Sequence, residues 1–278
     1  MKKKGIMTIL IGLATIVWLY IIVGNGLSIG HNFNKSDNWT RYTQSKTITI
    51  GLDDTFVPMG FRNNKGQIVG YDIDLTKAVF KKYGIKPIFQ PIDWSMKETE
   101  LRNGTIDLIW NGYSKTAQRA KVVAFSKAYF DNSQVLVTLK KDNIKKFSDM
   151  KNKVLGVQTA SSGQTALDAQ PKVLKQYIAN QQPILYDTFM NAVNDLQSGR
   201  IKGVLIDRVY ANYYLSHQKN GNQYRIVEGT FAPDYFVVGL RKSDTTLQKK
   251  INNALAEMQK SGELQAITKK WFGTSKSK

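Results

Sequence analysis

A chain of 278 residues with a formal net charge of +19 has room for one large or two medium domains, and its lack of cysteine excludes disulfides, thiolate chemistry and cysteine metal sites. With 42% apolar residues it can bury a core, while its two histidines, His31 and His217, lie in polar stretches suited to neither a zinc site nor a histidine base. The lysines are spread along the chain without a nucleic-acid-binding motif, so the charge fits an anionic cell envelope better than nucleic acid.

Lys2, Lys3 and Lys4 precede an uncharged apolar run from Ile6 to Val23, the pattern of an export segment. The run approaches the ~20 residues that span a bilayer. Residues 1–30 are therefore expected to form a hydrophobic helix, either a signal peptide or an N-terminal membrane anchor, with the remainder outside the membrane. Without cysteine there is no lipid attachment. Residues 31–46 read as a polar linker.

From Thr47 the pattern is α/β. TITIGL reads as a strand, GQIVGYD as a turn, and DLTKAVFKKYG as a helix with Gly84 at its end. PIFQPI, TIDLIWN and VLVTL read as strands, with the short helix MKETELRNG after the first. The theme then restarts: strand KVLGVQ, helix start SSGQTALD, strand PILYD, helix MNAVNDLQSGR and strand IKGVLID. One strand over 235–242 and one long amphipathic helix close the chain. Alternation of this kind predicts parallel sheets. The expected organisation is a first lobe over 47–135, a second over 136–232, and a return strand with first-lobe helices over 233–278. Two crossings, near 135–140 and 233–240, would form the hinge, with the ligand cleft beyond the carboxyl ends of the strands.

Several residues at those strand ends carry binding chemistry. Arg119 has the planar fork that matches a carboxylate, although an arginine in a helix first turn is also a common surface residue. Ser114 and the backbone at Gly112 precede it. Asp207 ends a strand, where it serves either as an acceptor for an ammonium or as a helix N-cap. Ser161 and Ser162 open a helix, where they cap it, seat a carboxylate, or do both. Asp53, Phe56 and Trp94 end first-lobe strands, and their aromatic rings fit either a side-chain sandwich or ordinary core.

In order along the chain, TITIGLDDTFVPMGF, GQIVGYDIDL, PIDWSMKETELRNGTIDLI, GYSKTAQRAKVVAFSKAYF, GVQTASSGQ, GRIKGVLID and KKWFG resemble the solute-binding proteins of polar amino-acid ABC importers, the bacterial extracellular solute-binding proteins of family 3. The likeness covers about four-fifths of the chain. It implies a two-lobed, type II periplasmic-binding-protein fold with two hinge crossings. It further implies that Arg119 binds a ligand α-carboxylate with Ser114, Ser161 and Ser162, and that Asp207 and the Gly112 carbonyl take the α-ammonium. Phe56 and Trp94 would stack on the ligand side chain and Asp53 would meet its polar end. The partners implied are a free polar amino acid (glutamine, a basic amino acid or cystine) and the membrane permease of an ABC importer. No cofactor, metal or catalytic residue is expected, and the protein is expected to act as a monomer. Departures from the family pattern are Ala117 in place of proline, Gln118 in place of an acidic residue, Asn111 in WNGY, which adds a possible contact, and Gln158 where some relatives are charged.

Two other classes share this fold. A dehydratase-like or cell-wall-lytic enzyme needs a general acid or base in the cleft, and no histidine is placed for that. A ligand-sensing ectodomain needs an output module, and only five residues precede the apolar run.

Overall fold

The computed structural model describes residues 36–273. The hydrophobic helix expected at 1–30 and His31 lie outside the described residues. Among the described residues, no helix is long and apolar enough to cross a membrane.

Strand Thr47–Leu52 pairs in parallel with Lys86–Pro91 on one side and with Leu108–Ile109 on the other. Parallel neighbours need crossovers. Helix Tyr71–Lys81 supplies the first and helix Lys97–Asn103 the second. Gly239–Leu240 then joins antiparallel to Leu108–Ile109, and Ala124–Phe125 closes this five-stranded sheet. The second lobe repeats the plan. Leu155–Gln158 lies between Ile184–Tyr186 and Gly203–Asp207, parallel to both, with helices Ser162–Ala169 and Phe189–Ser198 as crossovers. Gln134–Leu139 runs antiparallel to Gly203–Asp207 and carries Tyr224–Val227 at the edge. In the second lobe Gln134–Leu139, Leu155–Gln158 and Gly203–Asp207 are buried at every position, which is why they read as largely apolar runs.

Between the lobes, Phe130–Asn132 pairs antiparallel with Asp234–Phe236, and these two strands are the crossings. The outgoing crossing thus precedes the expected 135–140, because Gln134–Leu139 is wholly a second-lobe strand. The single strand expected over 235–242 is two strands, Asp234–Phe236 in the crossing pair and Gly239–Leu240 in the first-lobe sheet. A segment that passes between lobes has to change hydrogen-bond partners on the way.

Two further readings are corrected. The described part of the polar spacer contains helix Trp39–Ser45, whose Tyr42 is fully buried. The closing amphipathic helix is two helices, Thr245–Ser261 and Glu263–Phe272, broken at Gly262 with φ +81°. The apolar stripe of the first (Leu247, Ile251, Ala254, Leu255 and Met258) continues into the sequence of the second, so periodicity alone conceals the break.

Tyr42 is held by a buried polar cluster. Arg241, 2% exposed, donates from Nε to Asp244 Oδ2 at 3.0 Å and from Nη2 to Asp107 Oδ1 at 2.9 Å and Tyr42 Oη at 2.6 Å. Its Nη1 donates to the carbonyls of Leu101 and Ile106. Asn38 donates to Asp244 from both backbone and side chain. One guanidinium therefore ties the N-terminal helix to the sheet and to the C-terminal helices. Removing one partner of such a buried set leaves uncompensated charge. Arg241→Met is expected to cost about 3–5 kcal/mol in urea unfolding, with an unchanged midpoint counting against the cluster's role.

Candidate functional site

The two lobes meet face to face, and the cavity between them is closed down to about 10 Å³ of free space. The first lobe contributes Asp53, Phe56, Trp94, Asn111, Gly112 and Arg119 to its lining, and the second contributes Gln158, Ser161, Ser162, Phe189 and Asp207. Of the residues expected from sequence, only Ser114 stands outside this lining. It is buried just behind, where its Oγ donates to Asp234 Oδ2 at 2.8 Å.

The carboxyl ends of the strands deliver these groups. Asp53 follows Thr47–Leu52, Asn111 and Gly112 follow Leu108–Ile109, and Gln158 and Asp207 end their own strands. Arg119 sits in the short helix Ala117–Ala120, which Thr116 caps through its hydroxyl. Its guanidinium is 7% exposed and lies 4.3 Å over the Tyr113 ring. Nη1 donates to Ser114 O at 2.8 Å, Nη2 donates to Ala160 O of the opposite lobe at 3.1 Å, and Nε faces Glu98 Oε1 at 3.5 Å. One N–H on each terminal nitrogen is left, the pair a carboxylate takes.

Across the cleft, Asp207 is fully desolvated. Asn132 Nδ2 and Gln134 Nε2 donate to its Oδ1 at 2.5 and 2.7 Å. Burial, and next the repulsion of Asp234, push its carboxyl up to about 7, while the two amides and Arg119 pull the other way. Asp207 stands at the N-cap position of helix Arg208–Ser216, yet its side chain makes no cap bond and faces the cleft instead. Ser161 does cap helix Ser162–Ala169, accepting from Gln164 N at 3.1 Å. Ser162 Oγ accepts from Gln134 Nε2 at 3.2 Å.

Asp53 accepts from Thr55 through Oδ1 and, across the cleft, from Gln158 Nε2 at 2.9 Å through Oδ2. Burial raises its pKa despite those bonds. Phe56 lies stacked 5.7 Å from Tyr210 and tilted 5.6 Å from Phe189, both on the second lobe. Asn111 Oδ1 accepts from Asp53 N at 3.1 Å, while its buried Nδ2 has no partner among the described residues. Gly112 adopts φ +56°, and a Cβ there would come within 2.3 Å of the Phe56 ring. Its N–H donates at 2.7 Å to Asp72 Oδ2, a carboxyl that burial pushes up to about 7.

A two-lobed fold of this kind is shared with known proteins. The model for bacterial extracellular solute-binding proteins, family 3, matches residues 48–274. The chain belongs to this family. Among solved structures, the substrate-binding protein of an ABC uptake transporter from Streptococcus pneumoniae with bound histidine is 52% identical, with a TM-score of 0.83 over 85% of this chain and 96% of that one. ABC transporter arginine-binding protein 1 of Escherichia coli K12 is 32% identical, covering 82% of this chain and 91% of its own length. The L-cystine-binding protein TcyJ of the same strain is 31% identical, covering 84% and 85%. These relatives are binding components of transporters, and the family 3 protein described here is a solute-binding protein rather than an enzyme.

Sequence reasoning missed several residues of the site. Phe189, just before the expected helix MNAVNDLQSGR, and Tyr210, just after Asp207, carry no local signal, and only the closed lobes bring them onto Phe56. Lys97, 1% exposed, donates from Nζ to Trp94 O at 2.9 Å and to Ala160 O at 3.0 Å across the cleft. Burial, and next the Arg119 charge, bring its pKa down to about 7. The signal available was a lysine inside an otherwise amphipathic helix start. His217 lies on the Tyr213 ring in a helix end, apart from the cleft lining. Gly112→Ala is expected to destabilise the family 3 protein by about 1–3 kcal/mol, read as a fall in thermal midpoint, whereas an unchanged midpoint would mean that the Phe56 ring yields.

Proposed function

We propose that this protein captures a polar L-amino acid between its lobes and presents the closed form to the permease of an ABC importer. The observation that carries this reading is the opposition of Arg119 and Asp207, both buried, from different lobes, lining one cavity. Arg119 takes the α-carboxylate, with the hydroxyls of Ser161 and Ser162 and the N–H groups of the helix they open. Asp207 takes the α-ammonium, with the Gly112 carbonyl beside it. Ser114 acts from behind, as its carbonyl orients Arg119.

Phe56 and Trp94 make an aromatic wall for the side chain, and Asp53 with Gln158 makes its polar end. Among the described residues Asp53 Oδ2 accepts only from Gln158, so it has capacity for a cationic N–H. This favours a basic amino acid, and relatives named for histidine and arginine are consistent with it. Glutamine and cystine are the other candidates. The free space left between the closed lobes, about 10 Å³, is that of roughly one water, so a ligand has to enter with the lobes apart. A ligand of ~10 heavy atoms needs about 8 kcal/mol for micromolar affinity. That approaches 0.8 kcal/mol per atom, high in the known range, and demands burial by both lobes. At the outer face of the membrane, Lys2 to Lys4 with the apolar run Ile6 to Val23 would tether the monomer or direct its release.

A thermal-shift screen of the common amino acids plus cystine is expected to select a basic one, and calorimetry then measures it. Arg119→Ala is expected to cost about 2–5 kcal/mol of binding, and affinity kept within about threefold would refute the carboxylate assignment.

The Asp207 carboxyl supplies a pH test. Its folded midpoint, about 7, lies above the ordinary 3.8, so the structure favours the protonated form as pH falls. An ammonium needs the ionised form. Affinity should therefore fall below about pH 7, by up to about tenfold per pH unit, with protons released on binding. A flat profile from about pH 5 to 8 would contradict Asp207 as the ammonium's partner.

A further inference from the structure

Beside Asp207 lies a carboxylate that the reading above leaves unused. Asp234 opens the return crossing strand Asp234–Phe236 and is 9% exposed. Its Oδ2 accepts from Ser114 Oγ on the first lobe at 2.8 Å, and from Asn132 Nδ2 and Gln134 Nε2, each at 3.3 Å. The same two amide nitrogens donate to Asp207 Oδ1. Asn132 can give one hydrogen to each carboxylate. Gln134 has two hydrogens for three acceptors, the two carboxylates and Ser162 Oγ. The pair is thus short of donors and repels itself across shared ligands.

Other charges nearby do not cancel this. Arg119 attracts Asp207 from the opposite lobe. Arg208, next in sequence, is turned away onto Glu228 and Ser133. A ligand ammonium brings a full positive charge and three further N–H groups to this donor-poor pair.

Resting on the proposed function, we propose that Asp234 is a positioning residue of the ammonium seat, acting through Asp207 and their shared amides to make a positive charge on the ligand's α-nitrogen obligatory. Its position on the crossing strand also links that requirement to the hinge, since Ser114 reaches it from the first lobe.

Asp234→Asn removes the charge and keeps an acceptor in the same place. Calorimetry at about pH 8 compares the tightest-binding amino acid with its 2-hydroxy acid analogue, which is uncharged at that position. The ratio of the two affinities is expected to fall by about tenfold in the variant, the amino acid weakening and the hydroxy acid not. Carbon-13 titration of the Asp207 carboxyl without ligand is expected to show its midpoint lowered by about half a unit or more. An unchanged ratio, or equal losses for both ligands, overturns the proposal, because a purely structural role weakens both alike. Should the wild type bind no amino acid, the proposed function fails on its own, and the titration decides: an unmoved midpoint overturns the link between Asp234 and Asp207. Asp234→Ser serves as the second charge-removing variant if Asp234→Asn folds poorly.

Discussion

A charge taken out of water needs a partner, and the cleft between the lobes is organised by that requirement. Asp53, Asp207 and Asp234 stand buried there with Arg119 and Lys97. Fully desolvated ions carry a penalty of several kcal/mol each unless hydrogen bonds and opposite charges offset it. The lobes supply part of the offset. Gln158 bonds Asp53, and Arg119 and Lys97 both donate to the carbonyl of Ala160 across the cleft. What stays uncompensated is arranged with direction: N–H groups of Arg119 on one lobe, and the crowded Asp207 carboxyl on the other. On the proposed function a zwitterion would satisfy both at once, and closure and recognition would be one event.

The scaffold serves the same end. Parallel strands end at the cleft, so Gln158 and Asp207 at their last positions, and Asp53, Asn111 and Gly112 just beyond them, are placed by the sheets. Gly112 and Ala160 reach their places with positive φ, at 56° and 55°, where the chain turns sharply to aim a carbonyl or an N–H. Far from the cleft, Arg241 joins the N-terminal helix, the first-lobe sheet and the C-terminal helices into one body. The two crossing strands are then the place where the lobes can move relative to each other.

Much of this was legible in the sequence. Apolar runs bounded by glycines located nearly every central strand, and the alternation of strand and helix led to two parallel-sheet lobes. Arg119, Asp207 and the Ser161–Ser162 pair, noted at strand ends and helix starts and given binding roles by the family resemblance, do line one cavity. The misses share a cause: each depends on partners distant in sequence. Tyr42 looks like part of a polar spacer until Arg241 and Asp107 close around it. Asp234 looks like loop punctuation after Pro233, and only pairing with Asn132 brings it beside Asp207. The strand over 235–242 splits because partners change at the crossing, which no local pattern records. Gly262 breaks a helix whose apolar stripe continues past it.

The central claim is that the cleft reads both charged ends of an α-amino acid. Calorimetry on the unmodified protein with the tightest-binding amino acid and its methyl ester tests this directly, since the ester keeps the ammonium and side chain and removes only the carboxylate. The ester is expected to bind at least about a hundredfold more weakly. Comparable affinities for the two would contradict it, and Arg119 would then have to be given another task.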